Sequence, residues 1–193
     1  MGAGKSLLIM LSAKCLLEGV SIAVIPMVAL RGDMQRRCKE LEIDIGVWDS
    51  KQTNCAASII LVTPESVVTK GFQDFINRLQ ERQLLDRVFI DEYHMVLDCN
   101  HDFRPRLREL GQTISEWGIQ QIFLTTTLTP RDEREFYLAI YINSKDVYIF
   151  RLATTRKNVG YRVRKVSKDE DENEVVCWEA QRYLENNGKV IIY

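Results

Sequence analysis

The sequence predicts an α/β fold in which helices cover both faces of a parallel β-sheet. Short runs rich in β-branched residues alternate with amphipathic segments long enough to be helices, and this alternation is typical of a parallel sheet with helical crossovers. Each strand-like run contains a continuous apolar stretch, as expected of strands buried on both faces. Hydrophobic residues make up 46% of the 193 residues, which is enough to build a sizeable core.

The elements of a first domain are predicted over residues 1–150. The predicted strands are Ile22–Ile25, Ile59–Val62, Arg87–Ile90, Gln121–Thr125 and Val147–Phe150. The predicted helices are Ser6–Glu18, Leu30–Leu41, Phe72–Arg82, Arg104–Trp117 and Arg131–Tyr141. Pro130 favours the start of the last helix, because proline suits a first helical turn and the acidic Asp132 and Glu133 complement the helix N-terminus.

The apolar pattern lapses over residues 151–160, which we interpret as a linker. Beyond it the sequence predicts a strand at Tyr161–Val166, a helix near Val175–Asn186 and a buried strand at Lys189–Tyr193. Residues 161–193 are therefore expected to begin a second domain.

Charge and cysteine usage limit the functional classes. The net charge is −1, so the overall charge of the chain gives no argument for nucleic-acid binding. Basic residues outnumber acidic ones over 101–168, and either a local phosphate track or mixed solvated helix faces would explain this. The five cysteines include no C-x-x-C pair, which argues against a zinc site or a disulfide framework and favours a reducing compartment. No apolar run approaches the roughly 20 residues of a membrane span.

The start of the chain has the residue types of a phosphate-binding loop. The residues expected to bind nucleotide are Gly2, Ala3, Gly4, Lys5, Ser6 and Leu7. Glycines let backbone N–H groups close around phosphate oxygens, and the following helix adds positive potential at its N-terminus. Lys5 is expected to reach the β- and γ-phosphates and Ser6 to ligate Mg²⁺. The alternative is a chance match in a solvated N-terminus.

A second candidate site follows the strand predicted at Arg87–Ile90. The strand delivers Asp91 and Glu92 to its carboxyl end, where ligands bind in parallel α/β sheets. Asp91 is expected to hold the metal, Glu92 to orient and deprotonate the attacking water, and His94 to sense the γ-phosphate side. Taken alone, the acidic pair would also suit an ordinary exposed turn.

Together these segments resemble a known family. Their order resembles motifs I, Ia, Ib, II and III of superfamily-2 helicases, at Gly2–Ser6, Ile25–Leu30, Thr63–Ser66, Asp91–His94 and Thr125–Thr127. His101–Pro105 resembles the aromatic-rich loop of RecQ-like helicases. Asn158–Tyr161 and Gly188–Tyr193 resemble the junction into the second RecA-like domain and the opening of motif IV.

The resemblance implies a RecA-like P-loop NTPase domain and the start of a second RecA-like domain. It further implies an ATP-dependent 3′-to-5′ DNA helicase that uses ATP and Mg²⁺ and is nuclear in a eukaryote. RNA in place of DNA is a smaller variation. The alternatives are a non-catalytic remnant that binds nucleic acid or a protein partner, and a different P-loop enzyme such as a small-molecule kinase, in which His94 and His101–Pro105 have no role.

The resemblance also assigns roles within the aromatic-rich loop. Phe103 would stack near a base, His101 lies in the same loop, and Arg104 would link it to the nucleotide site or a phosphate. The alternatives are a core aromatic for Phe103 and a helix-capping turn for His101 and Asp102.

The remaining motif residues would contact the DNA backbone or couple the domains. Arg31, Thr63 and Ser66 are candidates for phosphate contacts, although Thr63–Ser66 would also suit a strand-to-helix turn. Thr125 and Thr127 would bond toward His94, although threonine favours strands in any case.

Several residues depart from the family pattern. Tyr93 and Thr126 each stand where RecQ-like proteins carry alanine, and Cys99 and Asn100 replace a Trp-Gly pair. We also expect the chain to be cut short at both ends, without the first strand of the first domain and without motifs V and VI. These departures favour the non-catalytic alternative for the isolated chain.

Overall fold

The computed structural model describes residues 4–15, 18–26, 29–51, 57–92, 94, 104–151, 160, 163–167, 171–185 and 190. The chain divides into two units, Met1–Phe150 and Arg151–Tyr193. The identity of the second unit as the start of a second RecA-like domain stays a prediction.

The first unit is built on a parallel sheet. Its strands are β1 (Val20–Val24), β2 (Ile45–Val47), β3 (Ile59–Val62), β4 (Leu85–Asp91) and β5 (Gln120–Leu124). They lie in the order β2-β3-β1-β4-β5, and every pairing is parallel. The predicted α/β fold with a parallel sheet is therefore confirmed. Parallel strands place their carboxyl ends along one edge, where ligand sites form in such sheets.

Helices connect the strands. In the first unit they are α1 (Lys5–Cys15), α2 (Ala29–Glu40), α3 (Pro64–Val67), α4 (Lys70–Glu81), α5 (Arg104–Ser115) and α6 (Glu133–Ala139), followed by a 3₁₀ turn at Ser144–Asp146. In the second unit the helix is α7 (Glu172–Leu184). None of the helices in the described ranges combines the length and apolar character needed to cross a bilayer.

The sheet separates two hydrophobic clusters. Ile22 and Val24 belong to one cluster, and Ala23 between them belongs to the other, because successive side chains of a strand point to opposite faces. The first cluster includes side chains of α4 and α5, and the second includes side chains of α1 and α2. Burial on both faces explains why β3 is apolar throughout and why β1 is apolar at every position except Ser21.

The strand predicted at Val147–Phe150 is wrong. The run Val147–Phe150 forms no strand, and the side chains of Tyr148 and Phe150 are 90% and 94% exposed. The run has the composition of a strand, but a strand also needs a hydrogen-bonded neighbour, and the run is absent from the sheet. Composition alone cannot supply that neighbour.

The other differences concern short or terminal segments. The short strand β2 was not predicted, because three residues that include Gly46 carry little pattern. In the second unit, residues 163–167 form no strand, so the strand predicted at Tyr161–Val166 is wrong over its described residues. Helix α7 begins at Glu172, where Asp171 accepts a hydrogen bond from the Asn173 N–H and so supplies an N-cap. Helix α6 begins at Glu133, two residues later than the predicted start.

Candidate active site

The acidic pair lies where β4 ends at the carboxyl edge of the sheet. Val88, Phe89 and Ile90 are buried, and the strand emerges at Asp91. Glu92 follows with φ of +51°, a left-handed conformation that is uncommon outside glycine and is often found at functional sites. Its N–H lies 2.8 Å from the carbonyl oxygen of Leu124, to which it donates, and 3.1 Å from Asp91 Oδ1. The turn is therefore tied to the end of the neighbouring strand β5.

Lys5 lies against this acidic pair. Its Nζ is 3.1 Å from Asp91 Oδ1 and also forms an ion pair with Glu92 Oε1. The side chains of Lys5, Asp91 and Glu92 are 20%, 18% and 15% exposed, so the charges are partly shielded but can be reached from solvent. The Lys5 ammonium thus meets two adjacent carboxylates that are distant from it in the sequence, at one point of the sheet edge.

The first turn of α1 carries Lys5 to this point. Gly4, just before the helix, has φ of +77°, a conformation that glycine adopts without steric penalty. Its carbonyl oxygen accepts hydrogen bonds from the N–H groups of Leu7 and Leu8 at 2.9 and 3.3 Å. Ser6 is partly buried in the same turn, and Leu7 is about half exposed, at 48%. Gly2 and Ala3 lie outside the described residues.

His94 joins the acidic pair to the end of β5. Its Nδ1 lies 2.9 Å from Thr125 Oγ1 and 3.3 Å from Glu92 Oε2. A carboxylate only accepts hydrogen bonds, so a direct bond to Glu92 requires the proton on Nδ1, whereas the Thr125 hydroxyl is able to donate or accept. The structure thus brings together Lys5, Asp91, Glu92, His94 and Thr125.

Thr126 is a site residue that the sequence reasoning missed. Its Oγ1 lies within hydrogen-bond distance of Glu92 Oε2, at 3.4 Å. Strict alternation along a strand would place Thr125 and Thr127 on one face and Thr126 on the other. Strand β5 ends at Leu124, so the alternation does not extend to these residues. Thr127 is exposed, and its N–H donates to Thr125 Oγ1 at 3.4 Å.

Thr63 and Ser66 lie at the carboxyl end of β3. Thr63 Oγ1 accepts from the Ser66 N–H at 3.2 Å and donates to Ser66 Oγ at 2.9 Å, so that Thr63 caps α3. These residues therefore form a strand-to-helix turn. A phosphate contact by either hydroxyl stays a prediction.

The other predicted nucleic-acid contacts are only partly covered by the structure. Arg31 lies in the first turn of α2, and its Nε and Nη2 are buried without a hydrogen-bond partner among the described residues. Buried donors of this kind are uncommon. Arg104 begins α5, but its side chain lies outside the described residues, as do His101 and Phe103.

Comparison with known proteins finds sequence relatives but no matching family model. The chain is 30% identical over 178 residues to ATP-dependent DNA helicase Q5 of Rattus norvegicus, covering 84% of this chain and 18% of the relative. It is 31% identical over 181 residues to RecQ-like DNA helicase blm-1 of Caenorhabditis elegans, covering 83% of this chain and 18% of the relative.

A third relative matches along the full length of the chain. It is RecQ-like DNA helicase BLM of Xenopus laevis, 29% identical over 208 residues that cover 100% of this chain and 15% of the relative. The chain spans less than a fifth of the length of each of these relatives. Among solved structures, the Hef helicase domain of Pyrococcus furiosus matches with a TM-score of 0.49 and 18% identity, over 73% of this chain and 32% of that one.

Proposed function

The chain is a sequence relative of the RecQ-type DNA helicases, and from this premise we propose that it is the ATP-binding motor domain of such an enzyme. The proposed activity is ATP hydrolysis coupled to 3′-to-5′ unwinding of DNA, in the nucleus of a eukaryotic cell. The observation that carries the proposal is the meeting of Lys5 with Asp91 and Glu92 at the carboxyl edge of the sheet. The direction of unwinding rests on the resemblance of the motifs alone.

The residues at this edge fit a magnesium–triphosphate complex. They offer an ammonium group at Lys5, a hydroxyl at Ser6 and a carboxylate at Asp91, which are the groups that P-loop enzymes use for phosphate and metal. Helix α1 begins at Lys5, and the N–H groups of Lys5 and Ser6 in its first turn would add donors for phosphate oxygens. When bound, Mg²⁺ supplies positive charge that offsets the charge on the transferred phosphoryl group.

Lys5 has to exchange partners for this chemistry. In the structure its ammonium is paired with both carboxylates. Binding a triphosphate through Lys5 would replace these ion pairs with phosphate contacts and release the Glu92 carboxylate. We therefore regard the Lys5 ion pairs as the resting state of the site.

Glu92 is the proposed general base. Its carboxylate orients a water molecule and accepts the proton of that water, while the water oxygen bonds to the terminal phosphorus and the phosphorus–oxygen bond to ADP breaks. His94 touches both Glu92 and Thr125, so it would transmit a change at the carboxylate to the segment after β5.

DNA is the proposed partner. Arg31, Thr63 and Ser66 are the proposed backbone contacts, which would position a strand without reading its sequence. His101, Phe103 and Arg104 would couple DNA contact to hydrolysis. Two Arg31 nitrogens are buried in this structure, so a phosphate contact would require the guanidinium to become exposed, when it would supply charge-assisted donors.

The test is ATP hydrolysis, with and without single-stranded DNA, by the chain carried in a motor that includes an intact second RecA-like domain. We expect DNA to stimulate hydrolysis and Lys5→Ala to abolish it. An equal rate of ATP hydrolysis without DNA would contradict the helicase assignment. Stimulation by RNA but not by DNA would indicate that the substrate is RNA. Failure to bind Mg-ATP at all would instead favour a non-catalytic domain that binds nucleic acid or a protein partner.

A further inference from the structure

The Glu92 carboxylate has different partners at its two oxygens. Oε1 forms the ion pair with Lys5, whereas Oε2 lies 3.3 Å from His94 Nδ1 and 3.4 Å from Thr126 Oγ1. The proposed function requires Lys5 to leave Oε1 when a triphosphate binds. The contacts at Oε2 do not involve Lys5, so they are able to persist after that exchange.

The two donors at Oε2 are not equivalent. His94 Nδ1 lies closer to Thr125 Oγ1, at 2.9 Å, than to Glu92, so its hydrogen bonding is divided between two partners and depends on the tautomer. The Thr126 hydroxyl carries its own proton, and the contact that the structure records for it is to Glu92. At 3.4 Å this hydrogen bond is long, but its acceptor is a charged carboxylate, and donation to a charged acceptor is stronger than donation to a neutral one.

The backbone fixes the position of Thr126 relative to Glu92. Leu124 is paired with Asp91 across β4 and β5, and its carbonyl oxygen accepts the Glu92 N–H at 2.8 Å. Thr126 follows two residues after this anchor. Its β-branched side chain has few χ1 rotamers, so the hydroxyl is held in place at little entropic cost.

We propose that Thr126 is a positioning residue that holds Oε2 of Glu92 and leaves Oε1 to act on the attacking water. This inference rests on the proposed function of Glu92 as the base. It gives a role to a threonine that the motif resemblance marks only as a departure from alanine. The role belongs to the hydroxyl, not to the volume of the side chain.

The test compares variants that separate the hydroxyl from the volume. Thr126→Val keeps the shape and removes the hydroxyl, and Thr126→Ser keeps the hydroxyl. Thr113→Val, within α5, makes the same chemical change away from the site. We expect Thr126→Val to lower the kcat of DNA-stimulated ATP hydrolysis about three- to tenfold and to leave the KM for ATP unchanged. A loss of this size is expected when one hydrogen bond to a charged group is removed. Thr126→Ser and Thr113→Val should retain the wild-type kcat.

Two results would overturn the role of Thr126. One is a Thr126→Val protein with wild-type kcat, and the other is an equal loss in the valine and serine variants, which would indicate packing rather than hydrogen bonding. If the wild-type protein, tested in a motor with an intact second RecA-like domain, hydrolyses no ATP, the proposed function fails, and the Cδ resonance of Glu92 at pH 7 still tests the contact. With the resonance assigned through Glu92→Gln, we expect it to move in Thr126→Val but not in Thr126→Ser. An unmoved resonance in the valine variant would refute the contact.

Discussion

At the scale of single residues, the site depends on one carboxylate with several partners. Glu92 has a left-handed backbone and contacts Lys5, His94 and Thr126. The sequence could predict most of this group, because Lys5 begins a helix and the others follow the ends of neighbouring strands. It could not predict the contact of Thr126, which depends on where β5 ends.

Replacing Glu92 with glutamine should separate binding from hydrolysis. Glutamine has nearly the same shape but neither accepts the water proton nor forms an ion pair with Lys5. We expect hydrolysis to fall by about 10² to 10⁴, the range for loss of a general base. We also expect Mg-ATP affinity to be equal or higher, because Lys5 no longer has to leave Glu92. Single-turnover rates and equilibrium binding measure the two effects, and unchanged hydrolysis would exclude Glu92 as the base.

Cys38 should react slowly with alkylating reagents in the folded protein. It is fully buried in the cluster formed by α1, α2 and the sheet, and burial raises the pKa of its thiol. The reactive thiolate is therefore less populated at Cys38, and reagents reach its buried sulfur less readily than that of Cys15, which is exposed. Peptide mapping after brief alkylation at pH 8 should find Cys15 modified well before Cys38. Equal rates would show that the cluster opens readily.

At the scale of elements, pattern predicts the buried strands well and the short or edge segments poorly. The range of β3 was predicted to the residue, whereas the termini of β1, β4 and β5 differ by one or two residues. Strand β2 and helix α3 are too short to show a period, so the sequence did not predict them. The run Val147–Phe150 has strand composition without a partner, which composition cannot reveal.

The Thr69 cap tests the energetics of one element. Thr69 Oγ1 accepts a hydrogen bond from the Phe72 N–H at 3.4 Å at the start of α4, and the hydroxyl donates to the Ser66 carbonyl oxygen at 2.7 Å. We expect Thr69→Ala to lower the free energy of unfolding by about 1 kcal/mol. Thr69→Ser should restore most of it, since serine also caps helices well. Urea denaturation of the three proteins gives the comparison, and equal stability would show that the cap contributes little.

At the scale of the whole molecule, the parallel topology explains why the site forms. Strand order places β4 between β1 and β5, so side chains following β4 and β5 meet at one edge, and α1 brings Lys5 to them. The meeting of Lys5 with the residues after β4 and β5 therefore follows from the predicted fold class. Residues His101–Phe103 of the aromatic-rich loop lie outside the described residues, so coupling to DNA stays a prediction. The chain spans less than a fifth of each helicase relative described above, and unwinding is proposed for the motor of which it would form part.

The most direct test of a nucleotide site at this edge is equilibrium binding of Mg-ATP to the chain and two lysine variants. Lys14, in the last turn of α1, donates to the Leu41 carbonyl oxygen at 3.0 Å and serves as the control. We predict that the wild type and Lys14→Ala bind alike, and that Lys5→Ala binds at least about tenfold more weakly, as for loss of a charged phosphate contact. Equal affinity of Lys5→Ala and the wild type, or no binding by the wild type, would contradict the nucleotide site.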